Sequence, residues 1–187
     1  MSRIEEAARG IYGAWRLGHG DASGFSFFDT SIAGFWRSFF AMMLALPAYA
    51  ALVAVGMANL EGEINWQGIV VVEAIAYVID WFAFPLAAIY VCQWLNKSER
   101  YTRLIVALNW AKVLIAIIML PATVIAAQAP GSVLALIPVA IFVGVLAYVW
   151  NVTRMALGAN WGEAMMVTMV NLTLGVIVSL WARSLLL

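Results

Sequence analysis

The stretch Gly68–Leu95, GIVVVEAIAYVIDWFAFPLAAIYVCQWL, decides the fold. A hydrocarbon core about 30 Å thick takes about 20 helical residues to cross, and this run exceeds that length without an interruption by loop-forming residues. Asp80 stands near its middle and Glu73 lies two helical turns earlier on the same face. An acidic side chain at the centre of a bilayer costs roughly 2.5–3.5 kcal/mol on insertion scales. The next apolar run carries Lys112. Opposite charges in adjacent spans predict a specific helix bundle, all-α and polytopic.

Composition agrees with that reading. The 187 residues are 65% hydrophobic and 11% charged, with a mean hydropathy of +0.95, outside the range of soluble domains. The runs are apolar all round and do not alternate, which excludes a membrane β-barrel. Five spans are read, at about 32–58, 68–95, 104–127, 132–150 and 161–187. Short linkers between them predict that successive helices are antiparallel neighbours. Residues 1–29 form a separate cytoplasmic segment, and 30–187 form the transmembrane domain. Ala129-Pro130-Gly131-Ser132 reads as a tight turn with Ser132 as a helix cap. Asn160-Trp161-Gly162-Glu163 reads as a capping box, and Asp29, Thr30 or Ser31 caps the first span.

Basic residues set the orientation. Arg3, Arg9, Arg16, Arg37, Lys97, Arg100, Arg103 and Arg154 fall on one side of a five-span chain, and Arg183 falls on the other. The N-terminus is therefore expected in the cytosol. Glu5, Glu6 and Arg9 stand where the apolar core of a cleavable signal peptide would begin, so none is expected. In residues 2–18, Ile4, Ala7, Ala8, Ile11, Trp15 and Gly18 follow a helical period. They predict a short amphipathic helix, either lying in the cytoplasmic interface or packed on the ends of the spans. Gly18 to Gly24 then reads as a flexible linker, with Phe25, Phe27 and Phe28 dipping into the interface.

The polar residues within the spans are the candidate functional set. Glu73, Tyr77, Asp80 and Phe84 form one stripe on the second span, Asn109 and Lys112 share a face of the third, and Asn171 lies with Thr168, Gly175 and Ser179 on the fifth. Such faces point inward, because lipid cannot satisfy them. Depth limits the Asp80–Lys112 pairing. Asp80 lies roughly 21–22 Å from either end of its helix, and Lys112 only about 12 Å from the start of its own. Lys112 therefore either reaches Asp80, snorkels to the headgroups, or leaves an acid protonated or paired with another subunit. Pro85 deprives the Trp81 carbonyl of its helical partner. Trp66, Trp94, Tyr101, Trp150 and Trp161 read as interfacial anchors.

Several function classes are excluded at this level. The formal net charge is zero, which gives no electrostatic reason for nucleic-acid binding. A lone cysteine, Cys92, excludes an internal disulfide and reads as a buried small hydrophobe. His19 is the single histidine and reads as a solvent-facing loop residue. No HExxH, GxSxG or Walker sequence occurs. The expectation is a protein that is not an enzyme and carries no cofactor or metal. It would act as a membrane organiser, an adaptor or a subunit of an assembly, touching lipids and either a membrane-protein partner or copies of itself. The alternative is a small oligomeric ion- or proton-coupled transporter using Glu73 and Asp80 as protonatable sites.

The layout resembles the Yip family of five-span membrane proteins. The residues concerned are the cytoplasmic segment before five closely spaced spans, the Asn160-Trp161-Gly162-Glu163-Ala164 turn before the last, and Glu73, Asp80 and Lys112 in early spans. The resemblance covers residues 30–187 and implies a five-helix membrane domain. The family's short cytosolic tyrosine- and glycine-containing signatures have no clear counterpart, so its small-GTPase partners are not carried over. The acyl and aromatic bias equally fits a bacterial inner-membrane relative, and that membrane is the expected location.

Overall fold

A computed structural model describes residues 2–57, 66–128 and 136–186. Among these the chain is helical throughout, without strands. The helices are α1 (Arg3–Gly18), α2 (Ile32–Ser38), α3 (Phe40–Met57), α4 (Trp66–Trp94), α5 (Tyr101–Gln128), α6 (Leu136–Leu157) and α7 (Trp161–Ser184), with short 3-10 turns at Ala22–Phe27 and Ser98–Arg100. Five stretches are long and apolar enough to cross a membrane, at Ile32–Met57, Trp66–Trp94, Ser98–Ile125, Leu136–Leu157 and Trp161–Ser184. The Ala129–Ser132 turn and the Glu61–Glu63 linker lie outside the described residues.

Local chemistry explains where the helices start. Ser2 accepts from the Glu5 amide and Glu5 reaches back to the Ser2 amide, closing a capping box on α1. Asn160 and Glu163 do the same for α7. Of the three candidate caps for the first span, Ser31 is used, accepting from the Gly34 amide at 3.1 Å. Gly158, at φ 54°, ends α6 in the left-handed conformation that suits glycine. That helix continues to Leu157, beyond the Trp150 boundary expected from hydropathy, and Asn151 in this added length finds its partner on α1.

The first span is two helices and not one. Ser38 donates its hydroxyl to the Phe35 carbonyl at 2.7 Å, and the following amides bond three residues back, Phe39 to Trp36 and Met42 to Phe39. A serine that bonds the preceding turn bends a helix in this way. Asn109 of α5 donates to the same Ser38 hydroxyl at 2.9 Å, so the break is held from inside the bundle.

The packing order also departs from chain order. α5 is the central helix, with Leu104, Ile105, Val106, Ala107, Trp110 and Ala111 all buried. It packs on α3 and α6, while α7 packs on α6 and α4. The backbones of α4 and α5 approach closely only over a short length, and long side chains fill the space between them: Trp81, Lys112 and Tyr101, whose hydroxyl donates to the Pro85 carbonyl at 3.0 Å. α4 itself runs unbroken through Pro85. Neighbours in the chain are therefore close partners for α5–α6 and α6–α7, and much less so for α4–α5.

α1 docks on α5 and α6. Its buried face is Ala7, Gly10, Gly13, Ala14 and Leu17, a face of small residues that lets the two backbones approach. A Cβ on Gly10 would stand 2.2 Å from the Trp110 ring. Tyr148 donates to the Ala14 carbonyl at 3.0 Å and Asn151 to the Leu17 carbonyl at 3.2 Å, so α6 binds the carbonyls of α1 directly. Much of the apolar stripe is open, Ile4 being 81% exposed and Trp15 48%. The Gly18–Gly24 segment is no loose linker. Asp21 caps the 3-10 turn through the Ser23 amide and pairs with Arg16 at 2.5 Å. Both bonds favour the carboxylate, and they hold the Asp21 carboxyl down at about 2. Phe25 and Phe28 pack on the core instead of dipping outward, and the Arg103 guanidinium lies 3.7 Å from the Phe25 ring centre.

Candidate functional site

The six candidate residues separate into two neighbouring polar groups. In the first, Lys112 Nζ donates to Asp80 Oδ2 at 2.8 Å and to the Asp80 backbone carbonyl at 3.2 Å. It also lies 4.9 Å from the centre of the Trp81 ring, close enough for a cation–π contact. The depth mismatch is smaller than hydropathy suggested because α5 begins at Tyr101. Lys112 is then about 16 Å into its helix and Asp80 about 21 Å from the matching end of α4. The lysine stem spans the difference.

Asp80 also faces α7. A Cβ added to Gly175 would stand in ordinary contact, 3.5 Å from Asp80 Oδ1, so the α7 backbone lies close beside the carboxylate. Asn109, Lys112 and Asn171 line one small cavity of ≈ 20 Å³ with Phe84, Pro85 and Val149. That volume has room for a single water molecule. Asn109 is buried and committed to Ser38.

The second group sits closer to the N-terminal end of α4. Tyr49 of α3 donates its hydroxyl to Glu73 Oε2 at 2.6 Å. Tyr77, buried, donates to the Met42 carbonyl at 2.6 Å. The Tyr49 and Tyr77 rings are 4.5 Å apart, and Tyr77 contacts Trp81 edge-on at 6.1 Å. A row of rings therefore connects the Glu73 group to the Lys112–Asp80 pair along the α3–α4–α5 seam. Glu73 takes its hydrogen bond from Tyr49, outside the Lys112–Asp80 pair.

Two members were not singled out from the sequence. Tyr49 lies two residues after Pro47 in a run otherwise apolar, and Ser38 lies just inside the first span. Both were visible as polar groups in a segment that lipid cannot satisfy; which partner each would find was not.

The basic end of the bundle forms a separate set. Lys97 pairs with Glu163 at 3.7 Å. Lys97 and Arg103 donate to the Gly158 and Met155 carbonyls at 3.4 and 3.3 Å, so cations meet the C-terminal carbonyls of α6. The Arg154 guanidinium lies against both the Trp150 and Trp161 rings, 5.4 and 5.6 Å from their centres. Arg37 pairs with Glu6 at 3.0 Å and with Asp29. Hydrogen bonds from the Ser31 side, and then the Arg37 charge, lower the Asp29 carboxyl below its ordinary value. His19 is exposed and donates from Nδ1 to the Trp15 carbonyl at 2.9 Å. Cys92 is buried. Among the described residues, no three His, Cys, Asp or Glu side chains converge as a metal site would require. No protein-family model, no curated protein and no solved structure matches the chain.

Proposed function

We propose that the protein is an integral membrane scaffold, an organiser or a subunit of a membrane assembly, whose intramembrane charges fix the bundle and do no chemistry. The observation that carries this reading is where those polar groups go. Asp80 binds Lys112, Glu73 binds Tyr49 and Asn109 binds Ser38, and each bond joins two different helices. A buried polar pair has register-setting as its best-attested structural use. Many of the side chains left facing outward are apolar, among them Val70, Val71, Leu86, Val139, Val143 and Leu180, which suits lipid or another membrane protein.

In this reading the five apolar stretches cross the membrane, with the Arg- and Lys-rich end in the cytosol. The docked helix α1 places its open Ile4, Ala8 and Trp15 in the headgroup region. A bacterial inner membrane and a Yip-like ancestry remain part of the proposal. Purification from native membranes in a lipid-preserving system, followed by mass determination, tests it. A stoichiometric protein partner or a defined homo-oligomer is expected, and Asp80→Asn is expected to weaken that assembly. A monomer with no partner, or an assembly indifferent to Asp80→Asn, overturns the scaffold role.

One observation favours the transporter alternative: the Asp80 side chain is 42% exposed, beside Gly175 and close to Pro85, so it has access to more than its lysine. Proton- or cation-driven flux in proteoliposomes, abolished by Asp80→Asn, would replace the scaffold reading with that one.

A further inference from the structure

We infer that the cleft between α1 and the α2–α3 elbow is a binding site for one membrane glycerophospholipid, with its phosphate on Arg3 and an acyl chain along Trp36 and Met43. The cleft has a volume of ≈ 440 Å³, within the range of about 300–1,000 Å³ typical of small-molecule sites. Its lining combines charged Arg3, Glu6 and Arg37 with apolar Trp36, Phe40 and Met43. That amphipathic lining suits a molecule with a charged head and an apolar tail.

The two arginines are not equivalent. Arg37 is already held by Glu6 and Asp29. Arg3 makes no ion pair among the described residues and lies 5.5 Å from the Phe40 ring centre. A guanidinium kept in place by an aromatic face, with its donors still uncommitted to a carboxylate, suits a phosphodiester oxygen. The apolar lining is open as well: Trp36 is 65% exposed and Met43 61%. Trp36 and Arg37 come from α2 and Phe40 and Met43 from α3, so the cleft lining spans the elbow. The Ser38–Asn109 bond holds that elbow.

The inference assumes that this end of the bundle lies at headgroup level, and it does not depend on the scaffold role. The test is native mass spectrometry of the full chain with phosphatidylglycerol, or with diacylglycerol of the same acyl chains as the phosphate-free control. The wild type is expected to retain one phosphatidylglycerol about tenfold better than diacylglycerol, the effect of one charge-assisted contact. Arg3→Ala should erase that difference, and Trp36→Ala should weaken both lipids alike. Arg3 is exposed on the first turn of α1, so its loss is not expected to disturb the fold. Equal retention of both lipids by the wild type, or an Arg3→Ala variant that keeps the preference, overturns the inference. Displacement of the lipid by millimolar glycerol phosphate alone would mark a free-anion site, and cross-linking from position 36 to a protein in place of lipid would mark a partner groove. Either result overturns the lipid assignment, while co-purification of an assembly reports on the scaffold separately.

Discussion

Removing Lys112 should cost more than removing Asp80, and the asymmetry follows from the geometry. Lys112→Met leaves the Asp80 carboxylate without the cation 2.8 Å away. Breaking a fully buried ion pair by removing one partner costs about 3–5 kcal/mol. The Asp80 side chain is 42% exposed, so solvation relieves part of that, and about 2–3 kcal/mol is expected. Asp80→Asn is milder. Lys112 keeps the residue-80 backbone carbonyl at 3.2 Å and the Trp81 ring, so about 1 kcal/mol is expected. The double variant should fall near the Asp80→Asn value, because the uncompensated acid is gone. Reversible unfolding in mixed micelles, with increasing fraction of denaturing detergent, measures all four proteins. If the two single effects add to within about 0.5 kcal/mol, the pair is not coupled and the reasoning fails.

Asn109→Leu should cost about 1–2 kcal/mol by leaving the buried Ser38 hydroxyl with only its Phe35 bond, and Ser38→Ala in the same chain should recover part of it; the same unfolding assay reads both. Gly10→Ala should undock α1, since its Cβ would collide with the Trp110 ring; overpacking of this kind costs about 1–3 kcal/mol, and faster labelling of a cysteine placed at position 14 reports it. The turn at Asp21 should resist acid. Its folded carboxyl value, about 2, lies below the ordinary 3.8, so its contribution is complete above about pH 5 and is lost as pH falls through about 2; faster amide exchange at Ser23 over that window, absent in Asp21→Asn, measures it. Tyr49→Phe should cost about 1 kcal/mol by taking the hydroxyl from Glu73, seen in the same unfolding assay.

The polar stripes show how far a sequence can be read in this molecule. Asp80, Lys112 and Asn171 were found because charge and amide groups in apolar runs are few and lipid gives them no partner. The meeting of Lys112 with Asp80, and of Lys112 with Asn171 at one small cavity, follows from the same constraint. Glu73 and Asn109 were found for that reason too, yet their partners, Tyr49 and Ser38, come from a span that showed only one polar residue at each depth. A hydroxyl in an apolar run is weakly marked, and its partner depends on which helices adjoin.

Composition and hydrophobic run length by themselves determined an all-helical chain with five stretches fit to cross a membrane, because a bilayer admits so few ways to satisfy a backbone. Capping residues such as Ser31, Ser2 and Asn160 determined where helices begin, because those bonds are local. Only tertiary structure decided that α5 is central, that α3 packs on α5 more than on α4, and that the first span bends at Ser38. It also decided that α1 docks through its glycines and alanines and leaves its larger apolar side chains open. These outcomes depend on how side-chain volumes fit between helices distant in sequence. Periodicity reports which face of a helix is apolar, and it does not report which neighbour that face will meet.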